Sequence, residues 1–365
     1  MSRARTFADL ATASEENNLA NRNLICNGAM NVCQRLAHSG TLATAQSGYF
    51  LDMWSIQSNT AARMTITQDT NVPSGQGFLN SLKIDVTTAD TSVATSDITW
   101  LAYRFEGQNL QQLRKGTSSA KKLTLQFWVS SPKTGIHTLH FFDLANSRIV
   151  ATTYTITSAD TWQYVKVTFP ADTTGALADD NTHQLQLYFG LLAGTNYTSG
   201  TLATSWASNT NANRMVGQVN VLDNTSNNFY ITGVQMEIGE VATPFEFEDH
   251  ATTLAKAQRY YYKTTGAGSY PFINELPANK TGYVGRVTYP QSMRAAPTIS
   301  FTTCKLLQPQ TNLSAYDINA AGYISKESFG YVSWTGSSTI GSTGDANKGF
   351  FHDDDGEFWE ASAEL

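Results

Sequence analysis

The sequence predicts an all-β protein: a jelly-roll β-sandwich with a short N-terminal helical anchor and a second, smaller C-terminal β-domain. Three observations predict it. Apolar and polar residues alternate with a period of two in run after run between residues 23 and 248, the spacing that sends successive strand side chains to opposite faces. Turn-forming clusters such as Pro132–Gly135 and Pro170–Gly175 separate those runs, as they do between short strands. The chain is 41% hydrophobic and 15% charged, which is enough apolar material for a core and too little charge for disorder. At 365 residues it has room for about two domains.

Residues 1–22 stand apart from the rest. Thr6 followed by Asp9 has the spacing of a capping box, and Phe7, Leu10 and Ala11 then share one helical face. A helix this short is marginal alone in water, so the segment reads as an anchor peptide or as a frayed tail. Residues 23–248 carry the sandwich. Leu123, Leu125, Phe127 and Val129 oppose Thr124, Gln126 and Trp128; Val165, Val167 and Phe169 oppose Tyr164, Lys166 and Thr168. Leu185, Leu187, Phe189 and Leu191 oppose Gln184, Gln186 and Tyr188, while Tyr230, Val234, Met236 and Ile238 oppose Gln235 and Glu237. Strands with one apolar and one polar face pack as two sheets face to face, and a jelly roll is the expected form.

Residues 193–228 interrupt the pattern with a polar stretch too long for a hairpin loop, the kind that serves a function or moves. Asp249 then caps a short helix with Leu254, Ala257 and Tyr261 on one stripe, so residues 249–265 read as a helical connector. Residues 266–365 return to short β-runs and form the C-terminal domain. In the last run Trp359, Ala361, Ala363 and Leu365 alternate with Phe358, Glu360, Ser362 and Glu364, a strand expected to be pinned in a sheet.

Charge and composition exclude several classes. A net charge of −6 argues against nucleic acid, whose phosphates call for clustered Lys and Arg. The pairs Arg114-Lys115 and Lys121-Lys122 read as solvated turn edges, and Glu237, Glu240, Glu246, Glu248 and Asp249 as solvent faces of one edge. No apolar run is long enough to insert in a membrane, and no leader-like apolar region follows Arg3 and Arg5. Cys26 and Cys33, an odd number apart, point to opposite faces if they share a strand, and with Cys304 they read as buried thiols of a reducing compartment.

Several strings carry a resemblance. Asn23–Arg35 (NLICNGAMNVCQR) and Gly48–Trp54 (GYFLDMW) resemble the opening of bacteriophage tail-fibre and receptor-binding proteins with a carbohydrate-binding-like jelly roll. Met53 stands where that group usually has Arg. Phe105–Ser131, Gly233–Asp249, Ala257–Lys263 and Tyr289–Phe301 are similar to the same group. The resemblance implies a structural, host-recognising virion component, a homotrimer assembled in the host cytoplasm. Its N-terminal peptide, with Phe7, Leu10 and Ala11, would attach it to other virion proteins. It also leaves open a structural Ca²⁺ between sheet and loop, which some of these jelly rolls hold.

Chemistry-bearing patterns are sparse. His137 and His140 face opposite ways on one strand and the cysteines lack a C-x-x-C spacing, so no zinc site is expected. Asp353, Asp354 and Asp355 lack the alternate spacing of a calcium loop and read as a solvated turn. No nucleophile elbow or phosphate loop is present and no pair of carboxylates is singled out, so neither an enzyme nor a cofactor is expected. Sugars are held by ring faces and a few placed amides. Gln126 and Trp128, Trp162 and Tyr164, and Gln184, Gln186 and Tyr188 would make such a surface if their strands are neighbours. The same rings also suit burial against another subunit. Distally, Tyr283, Tyr323, Tyr331 and Trp334 are glycan candidates or core residues. The function expected is a trimeric phage tail fibre or spike that contacts host surface glycan. The alternatives are a head decoration or vertex fibre without a receptor role and a glycan-degrading spike.

Overall fold

The computed structural model describes residues 21–35, 40–41, 47–264, 277–279, 282–302, 305–307, 315–322, 324–334, 350–352 and 358–365. The anchor residues Phe7, Leu10 and Ala11, the Asp353–Asp355 run, Cys304 and Tyr323 lie outside them. The chain divides into two compact units at His250–Ala251.

The strands of the first unit are β1 (Gly40–Thr41), β2 (Ser47–Leu51), β3 (Trp54–Ser58), β4 (Arg63–Asp69), β5 (Ser81–Thr88) and β6 (Ile98–Glu106). There follow β7 (Leu123–Ser130), β8 (Gly135–Asp143), β9 (Arg148–Ile156), β10 (Gln163–Phe169), β11 (His183–Ala193), β12 (Ala207–Ser208) and β13 (Asn228–Ile238). They form a six-stranded sheet, β1-β4-β5-β13-β7-β10, and a seven-stranded sheet, β12-β9-β8-β11-β6-β3-β2. This is the jelly-roll sandwich that the alternation predicts.

The core forms where the inner faces meet. Leu125, Phe127 and Val129 of β7 are fully buried, as are Leu185, Leu187 and Phe189 of β11. The Phe127 ring meets Phe189 edge-on at 5.1 Å and Tyr154 at 5.2 Å. Each such ring contributes about 1.5–3 kcal/mol by leaving water.

Two strands depart from simple alternation. On β10, Val165 and Val167 are only half-buried, since this strand is the sheet edge, and Phe169 alone reaches the core against Phe141 at 4.8 Å. On β13 a register shift between Thr232 and Gln235 inserts one extra residue opposite β7. Gly233 sits there at φ +63°. The bulge reverses the phase, so Phe229 and Ile231 point inward before it, and Val234 and Met236 after it. Tyr230 is therefore on the outer face, not with Val234 as its sequence spacing suggests.

Residues 23–35 lock onto this bulge. β5 pairs with β13 as far as Ile231. Beyond it the N-terminal segment takes over: Leu24 N donates to Met236 O at 2.9 Å, Val234 N to Gly28 O at 2.9 Å and Met236 N to Asn23 Oδ1 at 3.0 Å. A Cβ on Gly28 would lie 2.0 Å from Val234 O, so only glycine fits. Asn27, buried and at φ +57°, donates through Nδ2 to Val32 O (2.8 Å) and Asp52 O (3.1 Å) and accepts from Val32 N (2.9 Å). Its own carbonyl accepts from Trp54 Nε1 at 3.2 Å. The Asp52 carboxylate accepts from Gln34 N and Nε2 at 2.6 and 2.8 Å, and Arg35 lies 3.8 Å away. Burial outweighs these partners and pushes the Asp52 carboxyl above its ordinary range. Cys26 and Cys33 are half-buried in this irregular segment, not buried on a strand as the sequence suggests.

Lys115 is another departure. It is not a solvated turn edge: its ammonium is buried between the Asp143 carboxylate, Asp172 at 2.9 Å, and the carbonyls of Gly175 (2.8 Å) and Thr174 (3.2 Å), 4.9 Å from the Trp206 ring. Arg148 forks onto Asp172 at 2.9 Å through both Nε and Nη2. Burial works against the Asp172 charge, but hydrogen bonds from Arg148 and Lys115 hold its carboxyl below the usual range.

In the second unit, the helix α1 (His250–Gln258) buries Thr253 and Ala257, and Leu254 is half-buried. Tyr261 does not extend its stripe, because the helix has ended and the residue starts β14 (Tyr261–Lys263). The next strands are β15 (Pro277–Asn279), β16 (Gly282–Thr288), β17 (Thr298–Thr302), β18 (Lys305–Leu307), β19 (Ala315–Gly322), β20 (Ser328–Trp334), β21 (Phe350–His352) and β22 (Phe358–Ser362). They make a sheet β14-β22-β17 and a sheet β15-β16-β20-β19-β18-β21. The terminal strand is pinned on both sides, and its alternation holds: Trp359, Ala361 and Ala363 join Val287, Tyr289, Met293 and Phe329 in the core.

Asn27→Ala would leave the Val32 amide and the Val32 and Asp52 carbonyls without their partner. Stability should fall by about 2–4 kcal/mol, read as a lower urea midpoint at unchanged m-value.

Candidate functional site

Four of the sequence-predicted residues come together on the outer face of the six-stranded sheet. Tyr164 of β10 is directly opposite Trp128 of β7, with ring centres 5.4 Å apart. The Tyr164 hydroxyl donates to Gln126 Oε1, and Gln126 Nε2 donates to Thr243 O at 2.8 Å. Trp162, just before β10, donates from Nε1 to Asn71 Oδ1 at 3.2 Å. Its ring lies 6.1 Å from Tyr230, which the bulge has turned outward. Lys83 Nζ sits 5.8 Å above the Tyr230 ring and 3.3 Å from Asp85. Trp128 and Trp162 are half-buried, and Tyr164 is 48% exposed. Partial burial, with the Glu237 carboxylate nearby, pushes the Tyr164 phenol up.

This face continues past the bulge. The Phe78 ring would be 2.5 Å from a Cβ on Gly233, so it rests on bare backbone there. It packs against Phe245 at 5.0 Å and Phe247 at 5.2 Å, and Phe247 is 54% exposed. The segment carrying these rings also covers part of the sheet. Thr243 donates from N (2.9 Å) and Oγ1 (2.7 Å) to Glu237, and Glu246 N donates to Gln235 Oε1 at 2.7 Å. Glu237 is thus buried and bonded rather than solvated.

Gln184, Gln186 and Tyr188 do not join this surface. They lie on β11, in the other sheet, and all three are buried. Gln184 accepts from Ala178 N at 3.2 Å, and Gln186 accepts from the Tyr188 hydroxyl. The long polar stretch after β11 lies over Tyr188 and Gly190 as a strap, with one helical turn at Thr195–Thr198 and a 3-10 turn at Asn211–Asn213. Gly190 makes room for it: a Cβ there would meet Met215 Cε and Gln218 Oε1 at 2.5 Å. Arg214 of the strap lies 4.7 Å over Trp100, 5.2 Å over Phe142 and 5.5 Å over Tyr188.

Tyr283, Tyr331 and Trp334 belong to the second unit. Their backbones pair with Val332, Val284 and Ile318 respectively, and their side chains lie outside the described set.

His137 and His140 occupy opposite faces of β8. His137 points into the core, stacked on Tyr154 at 5.3 Å with Nε2 3.1 Å from Lys133 O. His140 faces the strap. Among the described residues no three His, Cys, Asp or Glu side chains converge on a possible metal position.

No family model matches the chain, and no curated protein matches it. Similar solved structures include the enzymatically active domain of tailspike protein 4 of bacteriophage CBA120, at 11% identity and TM-score 0.32, over 60% of this chain and 21% of that one. The family 11 carbohydrate-binding module of a Clostridium thermocellum cellulosomal cellulase is similar at 12% identity and TM-score 0.27, over 57% and 99%. The module TmCBM61, solved with beta-1,4-galactotriose, is similar at 10% identity and TM-score 0.30, over 60% and 99%.

Burial lowers the His137 pKa to about 4. The unfolded imidazole takes its proton near 6.5, so the unfolded state binds more protons between those values. The stability linked to His137 is complete above pH 6.5 and is lost as pH falls toward 4, by about 1.4 kcal/mol per unit. Urea titrations from pH 7.5 to 4 should show a slope that His137→Gln lessens by about 1.4 kcal/mol per unit, leaving the part due to the equally buried His140.

Proposed function

We propose that the chain is a structural component of a phage virion, a tail fibre or spike whose jelly-roll unit contacts glycan on the host surface. The observation that carries the glycan part is the ring face of the six-stranded sheet. Trp128, Trp162, Tyr164 and Tyr230 offer partly exposed rings to the C–H faces of sugars. Asn71 and Lys83 stand beside them as hydroxyl-binding groups. Aromatic bodies with a few placed polar groups are the ordinary makeup of a sugar site. The virion part rests on the resemblance of Asn23–Arg35, Gly48–Trp54 and Tyr289–Phe301 to tail-fibre and receptor-binding proteins.

On this reading three copies associate, residues 1–22 join the particle, and the glycan is bound without being cleaved. The sheet face carries rings and amides. Its nearest carboxylates are committed, Asp85 to Lys83 and Glu237 to Thr243.

A glycan array followed by calorimetry on the purified chain tests the reading. Binding should weaken about tenfold or more in Trp128→Ala and in Tyr230→Ala, as for truncated ring anchors. Array silence, or full affinity in both variants, would overturn the assignment to this face. Light scattering should give a trimer, and deletion of residues 1–22 should abolish particle incorporation while leaving that oligomer intact.

A further inference from the structure

Arg214 is a buried guanidinium, 7% exposed, with no carboxylate at ion-pair distance among the described residues. Buried charges ordinarily have an anionic partner. Here three ring faces take that place, together with neutral acceptors: Nη1 donates to Asn211 Oδ1 at 3.5 Å, the Tyr188 hydroxyl stands beside the guanidinium, and one imidazole lone pair takes the rest. Nε and Nη2 of Arg214 both approach Nε2 of His140, at 3.2 and 3.0 Å. Two donors on one nitrogen require that nitrogen to be the unprotonated acceptor, so the His140 proton sits on Nδ1, which has no partner.

The groups facing this pair give it no anion. From β11 comes Tyr188, stacked on His140 at 4.8 Å, and from β6 Trp100 at 5.5 Å. The neighbouring β9 residue is Ala151. The strap supplies Arg214 itself and Tyr197, whose ring is 6.2 Å from Trp100. Arg104, on β6, adds a second positive charge near Tyr188. On β8 itself, His137 points the other way.

We propose that the strap of residues 194–221 is an acid-released cover over the outer face of the seven-stranded sheet. A solvent proton taken by His140 Nε2 removes the acceptor of Arg214 Nε and Nη2. It also sets a second cation about 3 Å from the first. The strap relieves this by lifting Arg214 off the rings, which uncovers Trp100, Phe142 and Tyr188. Burial beside Arg214 keeps the closed imidazole neutral, its pKa well below the ordinary value. The free energy of acidification therefore goes into opening. This inference does not depend on the glycan reading, since it concerns the other sheet.

Hydrogen exchange at pH 7.5 and 5, corrected for intrinsic rates, tests it on the full chain. With an open-state pKa near 6.5, opening of the strap should rise about 30-fold between the two. Peptides from β7 and β13 exchange only when the whole unit unfolds, which exposes His137 as well as His140, so the strap should exchange faster than they do at both values. His140→Gln, whose amide oxygen still accepts from Arg214, should hold the strap closed at both values. Arg214→Gln should exchange fast at both. A strap that exchanges alike at the two pH values in the native chain, one that opens only with the core, or pH dependence retained in His140→Gln would each overturn the proposal.

Discussion

The first unit depends on one buried hydrogen-bonded junction, the Asn27 side chain bridging Val32 and Asp52. It brings three stretches of chain to one point: the irregular 23–35 segment, the β2–β3 turn and, through Gly28, the bulge of β13. Each supplies backbone groups that have left regular pairing. In a dry interior every such group costs free energy unless it is bonded. Asn27 meets three of them with one amide, and the left-handed backbone it adopts is one that Asn tolerates better than most residues. Trp54 then closes over the Asn27 carbonyl, tying this polar point to the aromatic core at Tyr103 and Phe189. The string that resembles tail-fibre openings is thus a structural device. Its Asn, Gly, Gln and Arg positions are those that bond, fit or pair at the junction.

The bulge next to this junction shapes the candidate site as well. One extra residue in β13 turns Tyr230 outward beside Trp162, and a bare Gly233 gives Phe78 a seat. Without the phase change, Tyr230 would compete with Val234 for the core. The seven-stranded sheet makes the opposite choice: its outer rings are covered by the chain itself. The two faces of the sandwich are therefore chemically alike and physically different, one leaving Trp128, Trp162, Tyr164 and Tyr230 partly exposed and one closed by a strap whose fit requires Gly190.

Much of this was readable from alternation alone. The apolar sets of β7 and β11, the inward Trp359 and Ala361 of the last strand, and the opposed histidines of β8 follow from a period of two. So does the grouping of Gln126, Trp128 and Tyr164 once β7 and β10 are neighbours. Strand adjacency is not written in local periodicity, and this is why Gln184, Gln186 and Tyr188 were expected beside them and lie on the opposite sheet. Tyr230 was missed because a bulge reverses parity, and its only signal was the Thr232-Gly233 pair within an apolar run. Lys115 and Glu237 looked solvated because a sequence displays their charge but not the distant carboxylates, carbonyls and hydroxyls that receive it. The polar composition of residues 193–228 concealed a strap in the same way. Its buried contacts include the adjacent pairs Arg214-Met215 and Val221-Leu222, and pairs so spaced in so long a stretch make no periodic signal.

The Lys115 cluster has a consequence of its own. Two carboxylates and two carbonyls around a single positive centre form the oxygen nest that extracellular proteins commonly fill with a divalent ion. Here the positive centre is covalently part of the chain. It cannot be leached by a chelator, exchanged for a competing ion or lost on dilution. The junction between the β8–β9 hairpin and the loop after β10 thus keeps its geometry whatever the mineral content of its surroundings.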